Sequence, residues 1–81
     1  MNEAQQEVNA LKAELKHIQN PVQRQRLESL VQRLESRLND SEEDSATSGE
    51  VLGVVEQFEA EHPRLTQVLN RIAVTLSDMG I

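Results

Sequence analysis

FEAEHPRLTQVLNRIAVTLSDMGI, from Phe58 to Ile81, sets a proline inside an apolar pattern of helical period. Followed back to Val51, the apolar positions run Val51, Val55, Phe58, then His62, then Leu65, Leu69, Ile72, Leu76 and Met79, alternately four and three residues apart. That alternation is the heptad spacing of a single helix face. A proline inside a helix removes one backbone hydrogen bond and crowds the preceding turn, at a cost of about 3 kcal/mol. The apolar phase is nevertheless the same on both sides of Pro63. The spacing therefore predicts one proline-kinked helix from about Glu50 to Met79, about 45 Å long at the usual rise per residue.

The front of the chain behaves differently at its own proline. Ala4, Val8, Leu11, Leu15, Ile18 and Val22 form a seam of the same four-and-three spacing, but its continuation falls on Gln25, Ser29, Gln32 and Ser36, all polar. The apolar residues appear two positions late, at Leu27, Val31, Leu34 and Leu38, a rotation of about 200°. A straight helix would aim its two halves in opposite directions, so the chain must turn near Asn20-Pro21. Asn is a favoured N-cap and Pro suits the first helical position. Helices over about residues 2–19 and 21–39, folded as a hairpin, satisfy both seams.

Between them and the last segment lies NDSEEDSATSG, residues 39–49, with a single Ala as its only apolar side chain larger than Gly. Such a stretch has little to bury against the entropy of ordering and reads as an acidic flexible linker. Its carboxylates lack the alternating spacing, central Gly and twelfth-position Glu of a calcium-binding EF-hand loop. Thr47 followed three residues on by Glu50 fits the capping box that opens a helix. Gly80 suits the left-handed residue that closes one.

The expected architecture is all-α within a single domain. An N-terminal helical hairpin occupies residues 1–39, turning near 20–21; an acidic linker follows over 40–49, and a long C-terminal helix over 50–81. Packing is coiled-coil-like, in a dimeric helical bundle.

The dimer is expected because 81 residues with no Cys and a single aromatic, Phe58, leave few ways to stabilise a small core beyond a second copy. Leu52, Val54, Val68 and Ala73 widen the apolar stripe of the last segment beyond its seam. The expected oligomer seam is Val55, Phe58, His62, Leu65, Leu69, Ile72 and Leu76.

The ending resembles that of a small bacterial family of uncharacterised proteins, domain of unknown function 4404. The resemblance rests on Phe58, Glu59, His62, Pro63 and Leu65, then Arg71, Ile72 and Ala73, then Met79, Gly80 and Ile81. It implies a bacterial cytoplasmic protein of modest size and no particular reaction.

Composition narrows the function classes. The formal net charge is −6, and the four arginines at 24, 26, 33 and 37 are interspersed with Glu28 and Glu35, a poor surface for phosphate contacts and hence for nucleic acid. No apolar run approaches the length needed to span a bilayer, and the start MNEAQQEVNA lacks the basic and apolar regions of a signal peptide, so neither membrane nor export is expected. Two histidines, His17 and His62, without Cys are too few for a recognisable metal set, and the isolated glycines form no phosphate-binding loop. His17 reads as an exposed helix residue and His62 as a partly buried, hydrogen-bonded one.

The expectation is a cytoplasmic, non-enzymatic protein without catalytic residues, cofactor or metal. It acts as a self-associating structural or scaffold module, with itself as partner in a homodimer. The alternative is an adaptor or regulator whose apolar groove accepts a helix of another protein.

Overall fold

The last apolar seam belongs to two helices rather than one. The computed structural model describes residues 3–38 and 47–80. Among them all regular structure is helical: α1 (Glu3–Leu15), α2 (Pro21–Leu38), α3 (Ser48–Phe58) and α4 (Pro63–Asp78). The long kinked helix expected over 50–81 is therefore corrected to α3 and α4, separated by residues 59–62.

The break has a local cause. Pro63 has no N–H to give to the carbonyl of Glu59, and the residue before a proline is pushed out of the helical region. His62 accordingly sits at φ −133°, ψ 72°. Its N–H still reaches back to the carbonyl of Phe58 at 2.9 Å, closing α3. Its own carbonyl accepts the N–H of Thr66 at 3.0 Å and the Thr66 hydroxyl at 2.9 Å, opening α4. Pro63 thus occupies the first position of a new helix, where its missing N–H costs nothing.

Phase continuity misled because it reports which face is buried, not which way the axis points. The four residues of the break are close to one helical turn, so the spacing survives while the chain changes direction. α4 then packs back on α3, and continuing through Pro63 would forfeit that contact.

Pro21 plays the same part with a better cap. The Asn20 side-chain oxygen accepts the N–H groups of Val22 at 2.9 Å and Gln23 at 3.2 Å. An Asn cap of this kind contributes about 1 kcal/mol. α1 stops earlier than its seam suggests, at Leu15 instead of residue 19, through tightened bonds from His17 to Glu14 and from Ile18 to Leu15. The carbonyl of Ile18 is taken up by the Arg24 guanidinium, with Nε at 3.0 Å. That bond anchors the turn and lets Ile18 sink to 1 % exposure. Val22, the last residue of the expected first seam, falls instead in the first turn of α2 and points outward.

Thr47 caps α3 as its spacing predicts, its hydroxyl accepting the N–H of Glu50 at 3.3 Å. α3 begins at Ser48, inside the segment expected to be linker; the rest of that segment, residues 39–46, lies outside the described residues. At the other end Gly80 takes a φ of +82° and donates to the carbonyl of Ser77 at 3.0 Å, the left-handed closure expected of it.

α1 contacts both α2 and α4, and α4 contacts both α1 and α3. Ala4 and Val8 lie beside Leu34, while Lys12 and Leu15 lie beside Glu28 and Val31. Side chains bridge α2 and α3: Arg26 donates to Gln57 at 2.7 Å, and Arg33 pairs with Glu50. The four helices of the described residues thus surround one core of Val8, Leu11, Ile18, Leu27, Leu30, Val31, Leu34 and the buried residues of α3 and α4. The radius of gyration is 11.6 Å, close to the value of about 12 Å expected for a folded domain of this length.

Candidate functional surface

The residues expected to form an oligomer seam lie in the core of the single chain. Leu69 is wholly buried, and Val55, Phe58, Leu65, Ile72 and Leu76 are buried with it. His62 alone of the seven is half-exposed, its ring 6.0 Å from that of Phe58 at the turn between α3 and α4. These side chains have almost no surface left to offer another molecule. The seam expectation is corrected in this respect: the face was rightly read as buried, but α1 and α3 cover α4 within one chain. Sequence periodicity carries no information about which helix does the covering.

The stripe-widening residues divide similarly. Ala73 is buried, Val54 and Val68 pack against the core from its edge, and Leu52 stays exposed. Met79, counted as the last seam position, is half-exposed because the helix closes there.

The described surface carries several open hollows. The turns between α1 and α2 and between α3 and α4 meet at one end of the molecule around a shallow hollow of about 370 Å³, which both His17 and His62 line together with Glu14, Glu61 and Arg64. Among the described residues no three His, Asp or Glu side chains come close enough together to hold a metal ion. A second groove, about 540 Å³, runs between α2 and α3 and is spanned by the Arg26–Gln57 and Arg33–Glu50 contacts. Its polar groups are largely satisfied by each other.

The third and largest, about 860 Å³, lies between α1 and α4. α1 supplies Glu7 and Ala10; α4 supplies Asn70, Arg71, Val74, Thr75 and Asp78, with Met79 at its end. The Thr75 hydroxyl donates to the Glu7 carboxylate across the floor, tying the two helices together. Beneath it the packing leaves a void of only about 10 Å³ among Ala4, Val8, Leu34, Ile72 and Leu76, so the groove is a surface and does not open into the core.

Two of the four large hydrophobic side chains exposed among the described residues, Val74 at 60 % and Met79 at 49 %, border this groove. Sequence reading overlooked it, although a signal existed: Val74 is an apolar residue out of phase with the Leu69, Ile72, Leu76 seam. No helix among the described residues is long and apolar enough to cross a membrane.

The chain belongs to the family described as Domain of unknown function (DUF4404), whose pattern matches residues 4–81. No curated protein and no solved structure matches it.

Proposed function

We propose that this family member is a non-enzymatic structural module that self-associates through the outer face of α1 and α4. The observation that carries the reading is the pair Val74 and Met79, left exposed beside one groove on a domain whose apolar seam is otherwise buried. Scattered apolar side chains are ordinary on a protein surface, but two at one groove, beside the small side chain of Ala10, make a contact face. The same face carries both Arg71 and Asp78, so a second copy can complement it.

The packing of Ala4 and Val8 near Leu34, and of Leu15 near Val31, supports a hairpin of α1 and α2 beneath that face. The reading places the module in the bacterial cytoplasm with itself as partner, without cofactor or metal. A net charge of −6 argues against nucleic acid and anionic lipid as partners.

Light scattering over a concentration series tests it. The mass is expected to rise from 9.1 kDa towards twice that value with concentration. Val74→Asp is expected to hold the chain at the monomer mass with its helicity unchanged, because the position is exposed. A wild-type chain that stays monomeric at the highest concentrations contradicts the reading and favours an adaptor that takes a helix of another protein in the same groove.

A further inference from the structure

Arg64, Gln67, Arg71, Val74 and Asp78 are all exposed and lie three, four, three and four residues apart, forming one stripe along the outside of α4. The stripe is polar in its charge order: its cations precede Val74 and its acid follows. Arg71 and Asp78 are seven residues apart, which brings them within about 20° of the same direction after two turns. Neither has an ion-pair or hydrogen-bond partner among the described residues.

Two ion pairs elsewhere on the domain are instead used up in tying helices together. Lys12 pairs with Glu35 at 3.0 Å between α1 and α2, and Arg33 pairs with Glu50 between α2 and α3. On the outside of α4, Arg71 and Asp78 are engaged in no such contact among the described residues and remain open to a partner.

We propose that α4 pairs with α4 of a second copy, antiparallel about a two-fold axis passing between Val74 and Thr75, with Arg71 of each copy facing Asp78 of the other. The proposal rests on reading this face as a self-association surface and adds its geometry. A two-fold axis makes an interface self-complementary, so a residue near the axis lies level with its mirror position on the partner's α4. An axis at this point sends Arg71 to Asp78, Val74 to Thr75 and Asn70 to Met79. A parallel pair would instead oppose Arg71 to Arg71 and Asp78 to Asp78, like against like. Antiparallel helices also set their dipoles head to tail.

The result is an apolar centre at Val74 flanked by two ion pairs, the arrangement of a small interface with a polar rim. Such a face is at the small end of the range for specific contacts, so association should be weak and should weaken further as salt is raised.

Sedimentation of wild type, Arg71→Glu, Asp78→Arg and an equimolar mixture of the two variants tests the pairing. Melting followed by circular dichroism first confirms that both variants fold, as expected for exposed positions. Each variant alone places like charges at both ends of the interface and is expected to associate at least about tenfold more weakly than wild type. In the mixture the reversed charge at position 71 of one chain faces the reversed charge at position 78 of the other. A heterodimer of near wild-type strength should therefore form although neither variant dimerises well alone.

If wild type dimerises but the variants associate as tightly, or the mixture no better than its components, the Arg71–Asp78 geometry is wrong and self-association stands. If wild type is monomeric throughout, both readings fall.

Discussion

Leu69→Asp is expected to abolish the fold of the isolated chain, with loss of most helical signal and of any cooperative thermal transition. Leu69 has no exposed surface and sits in the middle of α4, the helix that contacts both α1 and α3. No charged or polar residue is buried beside it among the described residues, so a carboxylate there would meet no compensating partner. An uncompensated buried charge costs several kcal/mol. A domain of this length has about 4–12 kcal/mol in total.

The expected loss is the same at every protein concentration, because the residue stabilises one chain. Were Leu69 in an interface between copies, the variant would fail only through dissociation and would keep the cooperative melt of dilute wild type. Melts across a hundredfold dilution separate the two cases. A variant that keeps a cooperative melt near the wild-type temperature would place Leu69 outside the core.

Phe58→Ala is expected to destabilise by about 3–5 kcal/mol, the usual cost of removing a buried aromatic side chain. Phe58 is 1 % exposed, is the only aromatic residue of the chain, and stands at the last position of α3 where the chain turns towards α4. Its carbonyl also accepts the N–H of His62, so the ring and the backbone bond that ends the helix belong to the same residue. Removing the ring leaves that bond possible but opens a cavity behind it and takes away the surface on which the His62 ring rests. Urea denaturation followed by circular dichroism measures the effect. A loss below about 1 kcal/mol would mean that the turn is poorly packed and that α3 and α4 do not share the core described.

Helix boundaries marked by local chemistry were legible in the sequence. Asn20 and Pro21 begin α2, Thr47 begins α3 and Gly80 follows the end of α4, each through one or two backbone bonds that residue identity largely dictates. The buried face of α4 was legible too, since Leu65, Leu69, Ile72 and Leu76 keep its period.

Direction and partnership were not. His62-Pro63 carries the same N-terminal proline signal as Asn20-Pro21, but lacks a side-chain cap and lies in phase, so the seam outweighed it. The early end of α1 depends on the Arg24 guanidinium reaching the Ile18 carbonyl, a contact that no local pattern announces. The α1–α4 groove depends on two helices far apart in the chain meeting, and only the assembled core brings Glu7 to Thr75.

The chain folds back at His62-Pro63 and closes its core alone. The most direct measurement is a spin-label distance between Gly53→Cys and Ser77→Cys, both exposed, with an excess of unlabelled chain to remove distances between copies. One helix running through Pro63 would hold these positions about 36 Å apart, 24 residues at about 1.5 Å each. The folded-back arrangement predicts a distribution centred well below the 31 Å longest extent of the whole domain. A distribution centred near 36 Å would contradict it and restore the continuous helix.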